Sequence, residues 1–167
     1  MSAATPGNGP TGEAPSGAAP KQQFVINAQY IKDLSFENPR APHSMAQQSA
    51  PPAVEIHVDA KAAPMGPDTY EVVLTVNVAA RVQGEPLFLV ELAYAALATV
   101  RNIPQEMLAP VLLVETPRLM FPFARNIIAG ATRDGGFPPL MINPIDFAEL
   151  LRRESAPPIP PAAATTG

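Results

Sequence analysis

Cysteine and tryptophan are both absent from this chain. Without cysteine there is no disulfide framework, no thiolate chemistry and no Cys-based zinc site, and the chain suits a reducing compartment. Basic residues are scarce: 11 Lys and Arg stand against 15 Asp and Glu, giving a formal charge of −4 and a pI near 5.1. A nucleic-acid surface would need clustered Lys and Arg, so that class is set aside. No stretch approaches the roughly 20 apolar residues of a membrane span. The N-terminus has neither a charged n-region nor an apolar h-region. The expectation is a cytoplasmic protein that does not insert directly into membranes. Aromatics are few, at 6%, but hydrophobic residues make up 47% of the 167, ample for the core of one domain.

Proline and glycine mark the organisation. Residues 1–20 hold four Pro, four Gly, five Ala and one charge, Glu13, and residues 155–167 (SAPPIPPAAATTG) are similar. Neither segment can bury enough side-chain surface to offset ordering its backbone, at about 1–2 kcal/mol per residue. Both are read as disordered tails around a domain at 21–154. In the first half of that domain, Tyr70, Val72, Leu74, Val76 and Val78 alternate with Glu71, Val73, Thr75, Asn77 and Ala79, the pattern of a half-buried strand. Val54, Ile56 and Val58 alternate with Glu55, His57 and Asp59 in the same way. Phe24 to Phe36 is a further strand, bending near Lys32-Asp33, and Leu87 to about Tyr94 another. Turns at Gly66-Pro67-Asp68 and at Gln83-Gly84-Glu85-Pro86 imply an antiparallel meander. Asn38–Pro52 lacks any period and reads as a long crossover loop.

Helices follow. Ile103–Leu108 suggests a short turn, and Val111–Val114 a buried linking run. Thr116 and Pro117 supply the polar cap and first-turn proline that start a long helix, with Pro122 placed to kink it or to mark its true start. Gly135 and Gly136 supply the positive φ that ends it. Asn143-Pro144 starts a short helix running to about Glu154, with Asp146 facing its free amides. The fold class is α+β: a four-stranded antiparallel sheet with a long crossover loop, then one long and one short helix. The long helix is apolar around a wide arc: Leu119, Phe123 and Ile127 recur every fourth residue beside a stripe of Met120, Ala124, Ile128 and Ala131. It should pack on its own sheet and on a second chain, with Leu119, Ala124, Ile128 and Ala131 at the oligomer interface.

No enzyme signature emerges. His43 falls in the loop, and His57 on a strand's polar face; neither stands near a nucleophile or carboxylate pair at a recognisable spacing. Glu55, His57 and Asp59 on one extended strand lie about 7 Å apart stepwise, too far to share a metal unaided. The expectation is a protein without catalytic residues, bound metal or cofactor. The polar side of the sheet carries Glu55, Asp59, Glu71 and Glu91 with an apolar spot at Leu89, and Asp33 and Glu37 flank the first strand's end. Such a face either keeps the protein soluble or docks a basic partner.

Tyr30–Pro39 (YIKDLSFENP), Ala41-Pro42, Tyr70–Leu74 (YEVVL), Phe121–Arg125 (FPFAR) and Gly135–Leu140 (GGFPPL) occur in an order and spacing that resembles the SecB family of protein-export chaperones, over about Lys21 to Arg152. The resemblance implies a homotetramer, a dimer of dimers, without enzymatic activity. It would hold presecretory polypeptides unfolded and hand them to SecA, the ATPase motor of the export channel. The positions matching the family's SecA-docking face are Asp33, Glu37, Leu89 and Glu91. Those matching its substrate groove include Phe36, Met45, Phe123, Phe147 and Leu151. Family members often carry a Trp in the crossover loop, where this chain has Ser49-Ala50; Met45 offers adaptable contact there. The alternatives are a SecB-like chaperone of an antitoxin, or a small oligomeric α+β enzyme or ligand carrier using the groove as a pocket.

Overall fold

The computed structural model describes residues 17–155, so most of both expected tails lies outside the described residues. Strands β1 (Gln23–Glu37), β2 (Ala53–Gly66), β3 (Thr69–Val82) and β4 (Glu85–Arg101) form one antiparallel sheet in the order β1-β4-β3-β2. The meander β2-β3-β4 turns at Pro67-Asp68 and at Gln83-Gly84. Gln83 and Gly84 sit at φ +52° and +83°, the left-handed pair whose twist matches a two-residue hairpin. β1 pairs with the far edge of β4 and shifts register at Asn27 and at Lys32, the latter where the bend is expected.

β4 is longer than its hydropathy pattern suggests, running on from Tyr94 to Arg101. Its second half, Ala95-Ala96-Leu97-Ala98, shows no alternation, because β4 is central and Ala95, Ala96 and Ala98 are all buried. Pairing on both sides overrides the low strand propensity of alanine. The loop 38–52 must carry the chain from one sheet edge to the other. It does so past the β3–β4 turn, tied there by Gln83 Nε2 donating to Ser49 Oγ (3.3 Å).

The long helix starts earlier than its cap signals indicate. α1 (Gln105–Pro110), a π turn (Val111–Glu115) and α2 (Thr116–Asp134) are continuous. Thr116 is therefore not an N-cap; it has helical φ and ψ, and both its amide and its hydroxyl donate to Val111 O, five residues back. Pro117 cannot donate to the carbonyl four residues before it, and the wider π turn just ahead of it absorbs the mismatch. Contrary to the expectation that no stretch approaches a membrane span, Gln105–Asp134 is long and apolar enough to cross one by length and composition, a continuity hidden by the apparent helix start at Thr116-Pro117. Here it is the fold's core helix: Met120, Phe121, Ala124 and Ile128 are buried with β3 and β4.

At its end only Gly136 takes positive φ, at +89°, while Gly135 is helical. Gly135 answers a different need: a Cβ there would run into the Phe36 ring. The last helix, α3 (Phe147–Ser155), begins later than expected. Asp146 is its cap, with Oδ1 accepting from the Glu149 amide at 3.0 Å, and Asn143-Pro144 belongs to the extended approach.

Candidate functional site

The sheet has one covered face and one bare one. Val72, Leu74, Val76 and Val78 of β3, with Phe88, Val90 and Leu92 of β4, point to the covered face and are buried. The intervening residues form the bare face, where register fixes neighbours across all four strands. Glu37 lies opposite Leu89, Leu89 opposite Ala79, and Ala79 opposite Glu55. The next row is Ser35, Glu91, Asn77 and His57, and the one after it Asp33, Ala93, Thr75 and Asp59. Strands about 4.8 Å apart therefore bring Glu37, Leu89 and Glu91 together, with Asp33 four residues before Glu37 on β1. Glu55 and His57 join them around a shallow depression of about 250 Å³.

Charge on this face is divided. Glu71 binds Lys32 Nζ at 2.8 Å and accepts from the Tyr30 hydroxyl at 2.6 Å. The Lys32 ammonium, then the Tyr30 hydroxyl, hold its carboxyl below the usual glutamate value. The same hydrogen bond raises the Tyr30 phenol. Asp59 is paired with Lys61 at 3.1 Å. Among the described residues Asp33, Glu37, Glu55 and Glu91 have no salt-bridge partner. One end of the bare face is thus neutralised internally, and the other presents unpaired carboxylates around an apolar spot.

On the covered side the long helix reaches the second half of the edge strand, where Ala60 is buried, but stops short of its first half. Val54 and Ile56 of β2 are exposed although their β3 partners, Ala80 and Val78, are buried. The wall facing them is the extended segment 137–146 and then α3. Pro52, Val54, Phe88, Phe137 and Met141 are among the residues lining a cavity of about 210 Å³. Ile56, Val58, Ile142, Ile145 and Leu150 line one of about 530 Å³ farther along β2. Together they make an apolar groove along the sheet edge that nothing covers among the described residues. Its inner end is aromatic: Phe88 and Phe137 lie 4.9 Å apart between ring centroids, with Phe36 stacked on Phe88 at 6.0 Å.

The expected groove residues separate. Phe36 and Met45 gather at the aromatic end, Met45 lying over Gly136. Leu151 is half-buried against the core beside the lining residue Leu150. Phe147 is core instead: it is 1% exposed and meets Phe121 edge-on at 6.0 Å. Phe123 lines neither cavity and lies on the outer side of α2. The expected interface divides likewise. Ala124 and Ile128 are fully buried within their own chain, which removes them from any contact with a second one. Leu119 and Phe123, 51% and 53% exposed, continue through half-buried Ile127 and Ala131 as an outward apolar stripe. Val54, Ile56, Phe88 and Phe137 were missed as a site; the alternation of β2 gave a signal for the first two. Among the described residues no group of three His, Asp or Glu could hold a metal.

A sheet with a charged open face on one side and an open apolar groove on the other defines a binding protein. The family model described as preprotein translocase subunit SecB matches residues 17–157. The protein-export protein SecB of Paramagnetospirillum magneticum is 53% identical over 135 residues, 80% of this chain and 86% of that one. That of Rhodospirillum rubrum is 52% identical over 140 residues, 84% and 87% of the two chains. In fold, the chain is similar to the SecB-like chaperone of Mycobacterium tuberculosis, solved with a peptide from the HigA1 antitoxin. The TM-score is 0.62 at 14% identity, over 73% of this chain and 90% of that one. The chain belongs to the SecB family and is a chaperone of protein export.

Proposed function

We propose that this protein is a nucleotide-independent holdase that keeps presecretory polypeptides unfolded in the groove along β2 and passes them to SecA at the bare sheet face. The observation that carries the reading is the placement of two unlike surfaces on opposite faces of one sheet. Among the described residues nothing covers the groove's apolar surface and the outward edge of β2 pairs with no other strand, so an extended client also finds free backbone donors and acceptors. Such contact tolerates sequence variety. Folded proteins escape because their apolar surface is already buried. Asp33, Glu37, Leu89 and Glu91, extended by Glu55, suit a basic partner with an apolar anchor, steered by charge.

A homotetramer, a dimer of dimers, supplies several weak grooves to one long client and so gains avidity. The outward stripe of Leu119, Phe123, Ile127 and Ala131 is the surface it would bury. The action is non-enzymatic and cytoplasmic. Relatives near 50% identity carry the export name, which favours exported clients over an antitoxin. The test is refolding of a slow-folding precursor. Addition of this protein without nucleotide should stall it, and SecA should relieve the stall. Refolding at the unassisted rate overturns the reading.

A further inference from the structure

The aromatic end of the groove is edged by two thioethers. Met141 lines the cavity formed with Val54, Phe88 and Phe137 and is 62% exposed. Met45 is 46% exposed and lies over Gly136, where a Cβ would stand 2.9 Å from its sulfur. Met45 lines neither groove cavity, but Gly136 immediately precedes Phe137, which sets the Met45 sulfur beside the residue that leads into the aromatic cluster. Met120, by contrast, is fully buried under the sheet. The chain has no cysteine to intercept an oxidant, which leaves exposed thioethers as its oxidisable sulfur.

We propose that Met45 and Met141 form a redox-modification site through which a hydroperoxide, hydrogen peroxide being the simplest, turns the groove from apolar to polar and releases its client. The inference rests on the groove being the client surface. A sulfur lone pair attacks one peroxide oxygen, the O–O bond breaks and the S–O bond forms. The departing hydroxide takes up the remaining proton and leaves as water. Sulfur is oxidised by two electrons and the peroxide reduced by two, so no further reactant is needed. Each sulfoxide places a strong acceptor where an apolar client side chain has no donor to give. The backbone side of Met45 is occupied by Gly136, which leaves the open side of the sulfur for the new oxygen. Neither methionine is in the core, so the fold survives, and methionine sulfoxide reductases reverse the change.

The experiment treats the full chain with hydrogen peroxide, maps the oxidised peptides by mass, and measures dissociation of a labelled unfolded precursor. Met45 and Met141 should each gain about 16 Da while Met120 does not, and the client should leave roughly fivefold faster or more. Reductase treatment should restore slow release. Met45→Leu/Met141→Leu, a nearly volume-conserving change, should release the client at the same rate with and without peroxide, whatever its untreated rate. It should do so even though exposed Met65, at the end of β2, and Met107, on α1, are still oxidised. Unchanged release with both groove methionines oxidised overturns the inference. So does a double-Leu variant that responds like the parent, or oxidation of Met65 and Met107 that spares Met45 and Met141. Failure of the untreated protein to retain the precursor is a different result: it removes the groove reading itself, and this inference with it.

Discussion

Phe147→Ala separates core from groove at the position where the two readings compete most directly. The ring is the buried side chain of α3, fitted edge-on to Phe121 at 69°. Removing a buried phenylalanine costs about 3–5 kcal/mol through lost transfer energy and the cavity left behind. The upper half of that range is expected, because the edge-to-face pair adds about 0.5–1.5 kcal/mol beyond its area. The cavity also opens beneath a helix of nine residues, Phe147–Ser155, whose attachment depends on this contact. For a folded unit of this size the loss corresponds to a fall of roughly 10–20 °C in melting temperature. The assay is thermal unfolding at fixed protein concentration, because assembly makes stability concentration-dependent. Client dissociation is measured on the same samples well below the variant's midpoint. Leu150→Ala is the comparator: Leu150 lines the groove and is only half-buried, so it should quicken release with a smaller loss of stability. A Phe147→Ala protein that melts within roughly 2 °C of the parent yet releases client faster would refute the core assignment.

Three further outcomes test the other surfaces. Glu91→Lys should weaken SecA binding about tenfold or more, since a like-charge contact costs more than the loss of a rim contact; calorimetric titration reads this, and unchanged affinity removes the docking assignment. Phe123→Glu places a charge in the outward stripe of α2 and should yield smaller species by light scattering, while an intact tetramer would show that the stripe is not the interface. Glu71 supplies a pH test: its carboxyl is held below the ordinary value of 4.5 by Lys32 first and Tyr30 second. Its stabilisation is therefore present above that value and lost as pH falls through the lower folded pKa. Glu71→Gln should flatten the acid side of the urea-midpoint profile and cost less than about 1 kcal/mol at neutral pH, because Lys32 is half exposed. An acid side as steep as the parent's would place the dependence elsewhere.

The fold was legible wherever one face of an element differs from the other. Tyr70–Ala79 alternates because β3 has one buried and one bare face, and the rule of period two reads it directly. The same rule fails over Ala95–Val100, where adjacent alanines are buried on both faces and hydropathy carries no contrast. The start of the long helix was misread for a reason of chemistry. Thr-Pro is the strongest local start signal, but Thr116 spends its hydroxyl on Val111 O inside a continuing helix. Tertiary packing of Leu112 and Val114 beneath the π turn outweighs a local signal that costs little to ignore once the turn is widened.

The candidate site was legible in part, and the boundary has a physical cause. Charged residues declare themselves: parity alone puts Glu91 on one face of β4 with Leu89, and register brings Glu37 beside them. Apolar residues do not, because a groove and a core use the same side chains. Phe147 and Phe123 look alike in sequence, yet one is 1% exposed and the other 53%. The difference comes from where the helices end, since β2 extends beyond their cover and leaves Val54 and Ile56 open. That geometry depends on two glycines. Gly135 lets Phe36 close against the helix end, and Gly136 turns the chain so that Phe137 reaches Phe88. The motif Gly-Gly-Phe-Pro-Pro therefore does more than stop a helix. Its glycines admit the aromatic end of the groove, and its prolines hold the facing wall extended along β2.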